Sequence, residues 1–134
     1  MADPIIQNND IGSVILESSW FGEDTLTFTA AGTYLEGTIL ARDSSTLNLI
    51  AFVKGGTTNE NGIPKTILPY DVTVTAAGNV NVRVPRSGAF RKERLIILAD
   101  GNDSNVDAAV IDQLRDYGLV PKEVNELLQR DNST

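Results

Sequence analysis

One strand sets the terms for this chain. Residues 47–53 read LNLIAFV, which places Leu47, Leu49, Ala51 and Val53 on one face and Asn48, Ile50 and Phe52 on the other, because side chains alternate along a strand. A strand with one wet face alternates apolar with polar. Here Ile50 and Phe52 occupy the face expected to be wet, so the sheet needs a covering layer on both sides. With 134 residues there is room for one domain and one core of ordinary size. The second layer therefore comes either from the chain's own C-terminal segment or from another subunit.

The rest of the chain predicts an α+β fold, a small mostly-β domain of short strands and hairpins. The strand at 47–53 pairs with residues 37–42 through the polar turn Arg42-Asp43-Ser44-Ser45-Thr46. Upstream, SVILES at 13–18 is a short strand, and residues 25–30 alternate with Leu26, Phe28 and Ala30 inward. GGTTNENG at 55–62 has the composition of a mobile loop. Pro64 and Pro69 bracket residues 66–68, which makes any strand there an edge or an interrupted one. Residues 71–75 and 79–84 form a second hairpin, Pro85-Arg86-Ser87-Gly88 turns the chain, and Leu95-Ile96-Ile97-Leu98 is an apolar strand.

After Asp100-Gly101-Asn102-Asp103 the period changes to that of a helix. Ser104 caps it with Asp107 three positions on. Val106, Ala109, Val110, Leu114 and Tyr117 form its apolar stripe, and Gly118 stops it. Pro121 opens a second helix with Val124, Leu127 and Leu128 inward. The single domain is thus expected over 13–134, with a helical part at 104–130 whose outer face carries Asp112, Asp116, Glu123 and Glu126. Residues 1–12 form a flexible arm, polar and aperiodic apart from the pair Ile5-Ile6.

Composition removes most chemistry. The chain has no cysteine and no histidine, so it lacks disulfides, thiolate sites, the commonest general base and the commonest metal ligand. The stretch beginning at Asp100 resembles a calcium loop, but Asn105 and Ile111 stand where such a loop needs glycine and glutamate. Ser87-Gly88 has no G-x-S-x-G elbow around it. We expect no enzyme, no catalytic residue, no cofactor and no metal.

The net charge is −7 and unevenly spread. Residues 1–41 hold six acids and no base, 42–94 hold eight bases and four acids, and 95–134 hold eight acids and three bases. Arg83, Arg86, Arg91, Lys92 and Arg94 concentrate five bases in twelve residues. An acidic chain with only Phe90 in that stretch is not expected to bind nucleic acid. A basic patch facing an acidic arm or another copy suits it better. No stretch reaches the ~20 apolar residues of a membrane span, and MADPIIQNND lacks the pattern of a signal peptide, so no membrane partner is expected.

The order of segments resembles a known family. LTFTAAGTYLEGTILARDSSTLNLIAF, a Gly-rich loop, and then GIPKTILPYDVTVTAAGNVNVRVPRSGAFRKERLII are similar to the head decoration proteins of tailed bacteriophages, the group of phage lambda's capsid-stabilising protein. The matching features are the Gly37-Thr38-x-Leu40 strand start, the Asp43 turn, the interrupted strand at Ile67-Leu68, and Ser87-Gly88-x-Phe90 before an apolar strand. The resemblance implies a homotrimer at three-fold sites of the expanded head. There it would cement the major capsid protein, on the virion's outer surface, against packaged DNA, after synthesis in the host cytoplasm. It also implies an N-terminal arm, with Pro4, Ile5 and Ile6, that orders on the shell by strand addition. It favours another subunit as the second layer, which makes Ile50, Phe52, Arg86, Phe90 and Arg91 the expected subunit interface.

Two rivals stand beside this reading. One is a carbohydrate- or receptor-binding module displayed on a virion, with Trp20 or Tyr34 on a concave surface. The other is a small hydrolase with two carboxylates converging in a pocket.

Overall fold

The longest elements are two 14-residue strands, β1 (Ile15–Phe28) and β7 (Gly78–Arg91), which pair antiparallel from Ile15↔Phe90 to Phe28↔Gly78. They belong to a computed structural model that describes residues 14–123. The other strands are β2 (Gly32–Tyr34), β3 (Ile39–Arg42), β4 (Leu49–Ala51), β5 (Pro64–Ile67), β6 (Val72–Val74) and β8 (Leu119–Lys122). A single α-helix among the described residues, α1 (Ala108–Arg115), precedes β8. Six strands form a mixed sheet in the order β5-β3-β4-β1-β7-β8, and β2 pairs with β6 in a separate two-stranded sheet. The fold is thus mostly β with one helix.

The doubly apolar strand is covered from both sides by this chain itself. Leu49 packs with Leu26, Phe28, Leu40, Val82 and Val84 in one core cluster. Its lid is the β2–β6 sheet, which contributes Val72, Val74 and Tyr34, the last stacked on Phe28 with ring centroids 4.2 Å apart. Phe52 packs with Ile39, Ile67, Phe90, Leu95 and Leu114 in a second cluster. Its lid is α1, through Val110 and Leu114, together with the segment that carries Leu95, Ile97 and Val106. Leu47 and Val53, expected inward, are exposed, because β4 is only three residues long and both lie beyond its ends.

Backbone register accounts for the other differences from expectation. Residues 13–18 and 25–30 were expected as two strands; β1 runs through both, irregular between Ile15 and Phe21. Bulges bend a strand, and the two halves of β1 serve different cores: Ile15 packs against the cluster of Phe52, Leu26 lies in that of Leu49. Pro85-Arg86-Ser87-Gly88 is likewise not a turn. Between Trp20↔Ser87 and Phe21↔Pro85, β7 advances two residues against one on β1, a bulge at Arg86 that accommodates the proline's missing donor. Residues 71–75 and 79–84 do not form a hairpin, since β6 pairs with β2 and β7 pairs with β1. Residues 95–98 form no strand either; Ile96 and Ile97 make only isolated bridges, to Thr38 and Asn102. The edge or interrupted strand expected at 66–68 is present as the edge strand β5, which begins at Pro64 itself, and the hairpin around Asp43 is present as β3–β4.

The C-terminal part is one helix followed by a strand. Helix α1 starts later than Ser104 predicts, with Asp107 as its cap accepting from Val110 N at 3.2 Å. Val110 and Leu114 are buried, Ala109 and Tyr117 exposed. Gly118 ends this segment at φ 82°. Pro121 opens no helix. It lies in β8, parallel to β7 and opposite Phe90, where an edge strand satisfies β7's open backbone groups and tolerates a proline. Val124, Leu127, Leu128 and Glu126 lie outside the described residues, as does the arm at 1–12.

Candidate interaction surface

The expected interface residues divide between core and surface. Phe52 and Phe90 are 1% and 0% exposed, so the chain's own layers cover the rings that were expected to face another subunit. Ile50 is half-buried against the same cluster. Arg91 is buried, with its guanidinium 3.9 Å from Glu93. Pro4, Ile5 and Ile6 lie outside the described residues. The described chain starts at a well-held point: Val14 N donates to Glu36 Oε2 at 2.9 Å, and Val14 O accepts from Arg91 N at 2.7 Å.

Arg86 does take part in a polar constellation, with partners the sequence did not single out. Asp24 on β1 accepts from Arg42 on β3 through both oxygens, at 2.7 and 3.2 Å, and lies 3.4 Å from Arg86 Nη1 on β7. Arg86 Nη2 also donates to Glu23 O at 3.1 Å. The guanidinium of Arg86 packs over Gly22, into the space a Cβ there would occupy. Burial pushes the Asp24 carboxyl up, but the Arg42 hydrogen bond, the Thr25 N–H and the charges of Arg42 and Arg86 outweigh it and hold its pKa below the usual value. The cluster ties three strands of the large sheet at the margin of the Leu26 core. A signal for it was present. Asp24 shares a face with Leu26 and Phe28, and Arg42 with Leu40, which puts opposite charges on one apolar face.

Arg42 has a second task. Its Nη1 also donates to Leu47 O at 2.8 Å, fixing the end of the β3–β4 turn. Asp43 Oδ1 accepts from Ser45 N and Thr46 N at 2.7 and 3.1 Å, and Leu47 N donates to Asp43 O at 2.7 Å. Within this frame Leu47 adopts φ 67° and is 64% exposed. A left-handed conformation costs a non-glycine residue about 1–2 kcal/mol.

At the other end of β3 lies a cleft of about 350 Å³. Leu35 and Ile96 supply its apolar surface, Arg94 brings a guanidinium, and Glu36, Asp71, Glu93 and Asp103 bring carboxylates to it. Two of these are held by backbone donors: Glu36 by Val14 N and Asp71 by Glu36 N at 2.7 Å. Gly37 braces Ile96 from behind the lining. Its N donates to Leu68 O, its O accepts from Ile96 N, and its φ is 99°. Among the described residues no group of three or more acids is placed to hold a metal ion, and no helix is long and apolar enough to cross a membrane. Tyr34 is half-buried, one face of its ring stacked on Phe28.

The region that carries both cores, the ion cluster, the Leu47 turn and the cleft is also the region of family similarity. No curated protein and no solved structure matches the chain. Residues 14–119, from the first described residue to the start of β8, match the model of the bacteriophage lambda head decoration protein D family. The chain therefore belongs to the phage lambda head decoration protein D family, a structural family of the phage head.

Proposed function

We propose that the protein is a capsid decoration, or cement, protein. It binds as a homotrimer at three-fold sites on the outer surface of the mature head, contacts the major capsid protein, and stabilises the shell against the pressure of packaged DNA. The observation that carries this reading is the family match over residues 14–119, which spans the whole two-sided core. The work is mechanical. Many copies each bury surface across neighbouring shell subunits, and contacts of modest strength add up when they are linked. A body cored on both faces of its sheet transmits load with little deformation, since close-packed interiors have low compressibility.

The arm supplies the shell contact in this reading. A strand added to a sheet edge of a shell subunit draws affinity from backbone hydrogen bonds. Ordering it costs on the order of 1–2 kcal/mol per residue, which the burial of Pro4, Ile5 and Ile6 offsets. Val14, pinned by Glu36 and Arg91, fixes where the arm leaves the body.

The test is to mix purified protein with mature, undecorated heads, pellet them, and count bound copies. Saturation at three copies per three-fold site, with raised resistance of filled heads to heat or chelation, is the expected result. Absence of co-sedimentation would overturn the reading.

A further inference from the structure

We infer that the β3–β4 turn of one copy seats in the Leu35–Ile96 cleft of the next, so that copies join head to tail. This rests on the homotrimer reading above and names the surfaces that would build it. The turn is stiff and committed to one shape. Arg42, itself fixed on Asp24, holds Leu47 O; Asp43 holds Ser45 N and Thr46 N; and Ser44 N donates to Asn59 O. That shape holds Leu47 in a left-handed conformation with its side chain the most exposed of the large hydrophobics among the described residues. The left-handed residue closes the hairpin loop, and it leaves an apolar side chain that its own chain does not cover, which a contact with another copy would bury.

The cleft complements the turn. Leu47 is the apolar tip, flanked by the exposed hydroxyls of Ser44, Ser45 and Thr46. The cleft offers Leu35, half exposed, and Ile96 as apolar surface, with the carboxylates of Glu36, Asp71, Glu93 and Asp103 as acceptors beside the guanidinium of Arg94. Its volume, about 350 Å³, admits a leucine side chain with part of its turn. The two features also lie at opposite ends of β3: Glu36 precedes the strand and Asp43 follows it. A contact between two different patches is heterologous, and it closes into a ring when the rotation per copy allows.

Because the chain has no cysteine, the contact can be trapped cleanly. Leu47→Cys and Leu35→Cys each replace an exposed side chain. Mixed and treated with a short bis-maleimide, the two single variants should yield a two-chain product that neither gives alone. The double variant should yield a three-chain product. Independently, Leu47→Asp places a charged side chain where the apolar tip would be buried against Leu35 and Ile96. It should shift the trimer–monomer midpoint at least tenfold to higher concentration in sedimentation while leaving the monomer's circular-dichroism spectrum unchanged. No heterologous cross-link in a trimeric preparation, or a Leu47→Asp trimer as tight as the parent, overturns the inference. So does a Leu47→Cys variant that cross-links to the shell subunit instead, and so does a parent that stays single both in solution and on heads. Co-sedimentation of the parent with undecorated heads, run alongside, judges the decoration function separately.

Discussion

Arg42 grips Asp24 with both ends of its guanidinium, Nη2 to Oδ2 at 2.7 Å and Nη1 to Oδ1 at 3.2 Å, and so joins β3 to β1. The carboxylate is only 12% exposed and Arg42 31%, which places the pair between a surface ion pair and a buried one. Exposed pairs contribute about 0–1 kcal/mol, and breaking a fully buried pair costs about 3–5 kcal/mol. Asp24→Ala, which leaves Arg42 and Arg86 without their shared carboxylate, is expected to cost about 1–3 kcal/mol, read as a lower denaturation midpoint with an unchanged m-value.

The same carboxylate predicts a pH dependence. Its folded pKa lies below the ordinary value, so the folded state favours the ionised form. The contribution is fully present above the unfolded pKa of about 3.9 and disappears as pH falls through the lower folded value. Asp24→Asn should therefore be less stable than the parent at pH 6, with the gap closing as pH drops below the unfolded value. A gap that stays constant from pH 6 into strong acid would show that the carboxylate's charge contributes nothing.

Phe52→Ala should act within one chain. The ring is 1% exposed in the cluster with Phe90, Leu95 and Leu114, and removing such a ring costs about 3–5 kcal/mol. Melting should fall by the same amount at every protein concentration, because no second subunit is needed to cover the site. A loss that vanishes at high concentration would place Phe52 at a subunit contact.

Gly37→Ala should damage the wall of the cleft. The new Cβ would run into the backbone carbonyl of Arg94, and φ 99° is a conformation other residues rarely adopt. Strain of this kind costs about 1–3 kcal/mol. Amide exchange at Ile96, which donates to Gly37 O, should quicken more than exchange at Val82 in the distant core. Equal protection at both sites would mean that the wall yields without cost.

Deleting residues 2–9 tests the arm. The decoration reading expects loss of binding to undecorated heads with melting temperature unchanged, since the described residues from Val14 onward make their own core contacts. Heads decorated as fully by the shortened protein would move the shell contact to the body.

By itself the sequence determined a mostly-β fold without disulfide or thiol chemistry, with a hairpin around Asp43 and an edge or interrupted strand near residues 66–68. Those features rest on local chemistry: alternation, turn residues and proline's missing donor act within a few positions. The family order of segments was legible for the same reason. Only the tertiary structure decided what covers Ile50 and Phe52, because a second apolar face shows that a layer is needed without showing which one. It also decided that Pro85 sits in a strand beside a bulge and Pro121 in an edge strand: Pro85 read locally as a turn and Pro121 as a helix start, and a neighbouring backbone with open hydrogen-bonding groups overrode both readings. Strand partners were undetermined in the same way. β6 and β7 are adjacent in sequence but belong to different sheets, since pairing is chosen by which apolar faces close the two cores. The Asp24–Arg42–Arg86 cluster arises at that level too, where residues far apart in the chain meet on one face of the sheet.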